Sequence, residues 1–282
     1  MKYHQKIAPL GGAPIAMTYR RQELQSGDTP LAVYSSYRIS ILLSDGMSAV
    51  MGDRIIAAKA GSVLFFRPEE LHFGRVYRSG THEYLDIFLP LSLSNWAPFG
   101  DAMDFLMDTS EERINCIAFE GEAQRQVEML AREMAEVLHG GKSKSEMRLF
   151  SLLLQIILLC SDSYEEAKLH PPVLELPPLV KSTLQEISEH FTKPLSLEAL
   201  AAKANCSVAY LSRVFKAYTG MTVYYYITNL RIAYARRLLN GGASVIEACF
   251  ASGFNDCSNF IGKFKRITGK TPKQFQNQKK ES

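Results

Sequence analysis

Two short stretches of the chain carry side chains suited to reading the edges of base pairs. In the first, Ser207, Ala209, Tyr210, Ser212 and Arg213 fall on the outer face of a helix whose inner face holds Leu211, Val214 and Phe215. An arginine can donate two parallel hydrogen bonds to guanine, the commonest specific contact in a major groove. In the second stretch Cys257, Ser258, Asn259 and Lys263 are the matching candidates, and an asparagine suits adenine. Gly262 stands in the slot of Arg213, so this stretch lacks the guanine-directed group and is expected to discriminate less, with Asn259 carrying most of what remains. Lys216, Lys265, Arg266 and Lys270 are placed to neutralise phosphates, which adds affinity and salt dependence but no sequence information.

Such side chains read DNA only when rigid elements present them, and the sequence writes the presenting unit twice. A shift of 49 positions lays Glu198, Ala199 and Ala202 on Glu247, Ala248 and Ala251. The same shift lays Phe215, Lys216, Thr219, Gly220 and Thr222 on Phe264, Lys265, Thr268, Gly269 and Thr271. Two copies imply a tandem pair rather than a solenoid. Each copy reads as helix, tight turn, helix, over about 196–220 and 245–269. Ser207 and Asp256 are N-cap residues for the second helices, and Gly220 and Gly269 stop them. Between the copies a periodic run from Thr222 to Asn240 predicts one long helix, ended by Gly241 and Gly242. Its length, roughly 28 Å, is close to the ~34 Å repeat of B-DNA, so one rod could hold two reading heads in successive major grooves.

At these residues the chain resembles the AraC/XylS family of bacterial transcription regulators. The carrying stretches are YLSRVFKAYTG (210–220), YYYITNLRIAYARRLL (224–239) and SGFNDCSNFIGKFKRITGKTP (252–272). The resemblance implies a double-stranded DNA partner, RNA polymerase as a partner if the protein is an activator, a sensor barrel that binds a small molecule, and helices that form a homodimer. The family usually carries an arginine where Gly262 stands.

Charge divides along the same line. Residues 178–282 hold 15 Lys and Arg against 6 Asp and Glu, while the first 177 hold 17 against 23. A basic C-terminal domain behind an acidic N-terminal one predicts that only the former touches a polyanion. No apolar run approaches the length of a membrane span, the nearest being Leu149 to Cys160. The N-terminus lacks a secretory signal pattern, which predicts a cytoplasmic protein. Five scattered cysteines without metal-ligand spacing point to reduced thiols. Cys206 and Cys257 lie in or beside the reading units, where oxidation would bear on them.

The expected fold class is α+β in two domains. Residues 1–162 would form a cupin-like antiparallel β-barrel or jelly roll with helices, 163–178 a Pro-rich linker, and 179–282 an all-α double helix-turn-helix. Candidate strands are Ile15 to Arg21, Tyr37 to Leu43, Ser48 to Met51, Ser62 to Arg67 and Tyr84 to Leu89, with turns that include Gly52-Asp53. After Pro90 the pattern turns helical, first beyond Trp96, then over Glu122 to His139 and Ser145 to Cys160. GSVLFFRPEELH (61–72) and HEYLDIFLP (82–90) resemble segments of the cupin-type sensors of AraC relatives.

Whether the barrel is catalytic turns on its histidines. A cupin metal site needs two closely spaced histidines, a carboxylate and a third histidine. Here only His72 and His82 are at hand, with Glu69, Glu70 and Glu83, so neither metal nor cofactor is expected. Relatives with a His-x-His near the start of the barrel contrast with Ala32 and Tyr34, and Arg38 stands where a glutamate is common. Tyr34, Arg38, His72 and Glu83 are the candidate ligand contacts. Arg38 would suit a carboxylate or phosphate, while His72 and Glu83 would suit the hydroxyls of a sugar or another polar metabolite. Two alternatives to a ligand-controlled regulator remain: a cupin enzyme with an appended DNA-binding domain, and a ligand-independent architectural DNA-binding protein. Metal analysis separates off the first and a ligand screen the second.

Overall fold

The computed structural model describes residues 2–7, 14–28, 34–51, 54–68, 70, 72–92, 100–110, 112–140, 145–173 and 176–280. Its N-terminal half is two facing antiparallel sheets. Strands β1 (Lys2–Ile7), β2 (Ile15–Leu24), β4 (Tyr37–Leu42), β7 (Ser62–Phe66), β9 (Gly80–Leu89) and β10 (Cys116–Ala118) form the larger, in the order β1-β2-β9-β4-β7-β10. Strands β3 (Gly27–Asp28), β5 (Met47–Met51), β6 (Arg54–Ala58) and β8 (His72–Val76) form the smaller, in the order β3-β8-β5-β6. The expected strands all exist. Five others, β1, β3, β6, β8 and β10, were not legible, being short, polar or without alternation. The turn at Gly52-Asp53, the segment around Trp96, Ala32 and Glu69 lie outside the described residues.

Side-chain alternation gives the larger sheet two working faces. Met17, Tyr19, Ile39, Ile41, Val63, Phe65, Leu85 and Ile87 point outward into a core shared with the helices. These helices are α1 (Asp104–Met107), α2 (Gly121–Gly140) and α3 (Ser145–Leu169). The residues between them, such as Leu42, Leu64, Phe66 and Tyr84, turn inward to meet Met47, Ala49, Met51 and Val76 of the smaller sheet. Helix α3 runs past Cys160 into the stretch assigned to the linker, which leaves 170–177 as the connection. By length and apolar content α3 meets the criteria for a membrane-spanning helix. Its Leu149, Leu152, Leu153, Ile156, Ile157 and Cys160 are instead buried in the sheet-and-helix core.

The C-terminal half is helical: α4 (Pro178–His190), α5 (Leu197–Lys203), α6 (Val208–Thr219), α7 (Val223–Asn240), α8 (Val245–Ala251), α9 (Cys257–Thr268) and α10 (Pro272–Lys280). It has two cores. The first gathers α4, α5, α6 and the start of α7 around Leu184, Leu211, Phe215 and Tyr226. The second gathers the end of α7 with α8 and α9 around Ile232, Leu239, Phe260 and Phe264, and Phe275 of α10 packs against it. One helix therefore contributes to both cores, which fixes the spacing of the two units. Its 18 residues span about 27 Å.

The first core also takes in Val50, Ile55 and Phe73 from the outer face of the smaller sheet. Arg75 of β8 donates to the carbonyl of Tyr218 near the end of α6, at 2.6 Å. The first helix-turn-helix unit is thus docked on the sheet.

Candidate nucleic-acid interface and barrel cavity

Local chemistry builds each reading helix. The hydroxyl of Ser207 accepts from the backbone N–H of Tyr210, and a carboxylate oxygen of Asp256 accepts from that of Ser258. Each cap satisfies a donor that the first turn would leave orphaned, worth about 1 kcal/mol. Gly220 and Gly269 close α6 and α9 in the left-handed region, at φ 81° and 78°. The two helices have 12 residues each and are offset by 49 positions, as the repeat predicts.

The first helices of the two units are not offset by 49. Their caps, Ser196 and Ser244, and their buried pairs, Leu200-Ala201 and Ala248-Cys249, stand 48 apart. Glu247 is the third residue of α8 and completes a capping box with Ser244, whereas Glu198 is the second residue of α5. The sequence alignment of Glu198, Ala199 and Ala202 on Glu247, Ala248 and Ala251 is therefore off by one. The extra residue sits in the second turn, between Gly253 and Asp256. Asn205 and Gly253 are the equivalent left-handed turn residues, at φ 51° and 88°. A Cβ on Gly253 would lie 2.6 Å from the Thr192 carbonyl oxygen, so only glycine fits there.

Exposure sorts the candidate base contacts. Ser207, Ala209, Tyr210 and Arg213 are exposed on α6, and Ser212 is half-buried beside them. The Arg213 guanidinium lies 5.5 Å from the centre of the Tyr210 ring. On α9, Ser258, Asn259 and Gly262 are exposed. Cys257 packs against the second core instead of facing fully outward. Burial and the adjacent Cys257 push the Cys249 thiol of that core up to about 12. Lys263 donates to the Tyr224 hydroxyl of α7, with its ammonium 4.5 Å from the ring centre, so it is committed within the chain. That hydrogen bond holds the Tyr224 hydroxyl below its usual pKa. Lys216, Lys265, Arg266 and Lys270 are all exposed. Arg231 donates to the carbonyls of Phe191 and Lys193 at 2.7 and 2.8 Å, tying α7 to the end of α4.

Between the sheets lies a cavity of about 320 Å³ whose lining includes Tyr34, Arg38 and His72, three of the four residues singled out as ligand contacts. Glu83 is on the opposite face of β9, paired with Arg21 and Arg132 at 3.1 Å each. The alternation along β9 turns it toward the helices while Tyr84 and Asp86 face inward, so Glu83 does not belong to the cavity.

Asp86, missed in the sequence because a lone acid on a strand carries no spacing signal, organises the polar end. Its Oδ1 accepts from Arg38 Nε at 3.1 Å, Arg38 Nη2 at 2.7 Å and Ser40 Oγ at 2.7 Å. His72 Nδ1 lies 3.0 Å from the Glu70 carbonyl oxygen and its Nε2 lies 3.2 Å from Arg38 Nη1. Both partners fit one tautomer, with the proton on Nδ1 and Nε2 accepting. Burial and then the Arg38 charge lower the His72 pKa to about 3. Among the described residues no group of three or more His, Cys, Asp or Glu converges as a metal site would require.

The fold and the paired reading helices define a class: a double-sheet barrel joined to a DNA-binding domain with two helix-turn-helix units. The family described as "Helix-turn-helix domain" matches residues 200–278. The transcriptional activator RhaR of Salmonella schwarzengrund is 26% identical over 185 residues, which is 65% of this chain and 59% of that protein. The chain thus spans about three-fifths of the length of such relatives. Among solved structures, the C-terminal domain of AraT, a response regulator from Geobacillus stearothermophilus, is 30% identical with a TM-score of 0.36, covering 37% of this chain and 88% of that one. The DNA-binding domain of the global transcriptional factor AdpA, in complex with a target DNA, is 26% identical with a TM-score of 0.35, covering 36% and 92%. Residues 200–278 thus carry a helix-turn-helix domain, and the chain is similar to transcriptional activators of this kind.

Proposed function

We propose that the chain is a cytoplasmic, non-enzymatic transcription regulator that reads double-stranded DNA with two helix-turn-helix units and answers to a small molecule held in the barrel. The observation that carries this is the shared helix α7, whose 18 residues span about 27 Å and join the two cores that carry α6 and α9. On this reading Arg213 contacts guanine in the first half-site, supported by Tyr210, Ser207, Ala209 and Ser212. Asn259 and Ser258 read the second, where Lys263 and Cys257 contribute less because the chain already engages them. Lys216, Lys265, Arg266 and Lys270 bind phosphates.

Ligand control follows from where the cavity sits. On β8, His72, Phe73 and Gly74 line the cavity, while Phe73 also lies in the core shared with the first reading unit and Arg75 bonds to the end of α6. A ligand that shifts β8 would therefore bias how that unit is presented, provided it binds two arrangements with different affinity. The protein acts as a homodimer, for which exposed Met147 and Leu158 on α3 offer a surface, and it contacts RNA polymerase where it activates.

The test uses the full chain. Selection from a random duplex pool should yield a site with two reading blocks about one turn apart, and affinity for it should fall steeply with salt. Failure to enrich any sequence, with no binding at low ionic strength, would overturn the proposal.

A further inference from the structure

We propose that the cavity takes a small carboxylate with an apolar body, its anionic end held by Arg20 and Tyr84. This rests on the reading of the cavity as an effector site and names the chemistry of the effector.

The polar groups at the deep end are already engaged. Asp86 balances the charge of Arg38, His72 is neutral with both ring nitrogens engaged, and Ser40 donates to Asp86. The Arg38 guanidinium is further enclosed by the rings of Phe66, Tyr34 and Phe88, at 4.8, 5.3 and 5.7 Å. A neutral polyol would find few open partners there.

Arg20, also in the cavity lining, is different. Its Nη1 reaches the Tyr84 hydroxyl only at 3.4 Å, and its Nε is buried without a hydrogen-bond partner. Among the described residues no carboxylate pairs with it. The cavity wall therefore carries two guanidinium groups against one carboxylate. Tyr84 completes the seat. Its oxygen accepts from Gln22 Nε2 at 3.0 Å, and burial raises its pKa, so the phenol keeps a proton to donate. A cation with unspent donors beside a protonated phenol matches a carboxylate, and charge-assisted bonds of this kind are the strong ones. Leu42, Leu64, Phe66, Met47 and Ala49 would receive the apolar body. A cavity of 320 Å³ lies at the small end for ligand sites, which favours a monocarboxylate of benzoate or phenylacetate size.

The experiment measures binding of benzoate, phenylacetate and hexanoate to the full chain by calorimetry and thermal shift, beside their primary amides and glucose. At least one acid should bind tenfold or more tightly than its amide. In Arg20→Gln the acid should lose tenfold or more in affinity, so that its preference over the amide vanishes, and Arg20→Lys should restore part of it. An amide or glucose binding as well as the best acid overturns the proposal, as does an acid preference that survives Arg20→Gln. Glucose binding that alters DNA affinity would do so while leaving the effector reading intact. Failure of every acid to bind, in protein that still binds its selected duplex, overturns the carboxylate assignment without touching DNA recognition. Acid binding by protein that selects no duplex would leave the assignment standing and remove the regulator.

Discussion

The two helix-turn-helix units share a design and differ in what holds them and what they offer DNA. The first rests on the barrel: its core includes Val50, Ile55 and Phe73 of the smaller sheet, and Arg75 bonds to the end of its reading helix. The second core is built from α7 to α10 alone. The first presents Arg213, stacked with Tyr210, whereas the second presents Gly262 with open space around it and a lysine tied to Tyr224. On the function proposed above, regulation and discrimination would coincide on the first unit, while the second would add charge and reach.

The largest test of this contrast is structural. Phe215→Ala and Phe264→Ala each remove a fully buried ring and should cost about 3–5 kcal/mol. Hydrogen exchange should show the first loosening α4, α6 and the face of the smaller sheet together, and the second confined to α8, α9 and α10. Identical exchange patterns would mean that the cores are not separate.

Next comes recognition. Arg213→Ala should lose about 1–3 kcal/mol of binding and relax specificity in one half of the selected site, read by binding to single-base variants. Scrambling that half should cost more than scrambling the other, and equal losses would erase the distinction drawn here. Gly262→Arg should narrow the gap, since a side chain there meets nothing within 4 Å.

Acid should separate the units as well. His72 has a native pKa of about 3, far below the ordinary value of 6.5. Below pH 6.5 the unfolded chain takes up a proton that the native chain refuses, so stability falls with pH from 6.5 toward 3. The slope from this group is at most roughly 1.4 kcal/mol per pH unit and should flatten in His72→Asn. Because β8 carries both His72 and Phe73, exchange at pH 5 should rise first in the docked unit. The smallest effect is Gly262→Ala, which should raise stability by up to about 1 kcal/mol through helix propensity alone.

Much of this contrast was legible in the sequence. Caps, glycine stops and the apolar stripes of α6, α7 and α9 are local signals, and Gly262 facing Arg213 follows from counting. The one-residue insertion in the second turn was not, because Glu198 and Glu247 align by identity while playing different cap roles. In the barrel, alternation along β9 set Glu83 apart from Tyr84 and Asp86, yet which face met the cavity depended on helices far along the chain. Arg20 and Asp86 escaped notice for the same reason: their partners, Tyr84 and Arg38, lie 64 and 48 positions away. Docking of the first unit on the smaller sheet pairs residues more than a hundred positions apart, beyond any local pattern.

The central claim is that α7 holds two readers at a fixed spacing on one face of the duplex. The direct measurement inserts five base pairs between the two halves of the selected site and compares affinity with that of a site whose spacer is changed in sequence but not in length. Half a turn should place the second reader on the wrong face and weaken binding by about tenfold or more. Undiminished affinity for the lengthened site would contradict it.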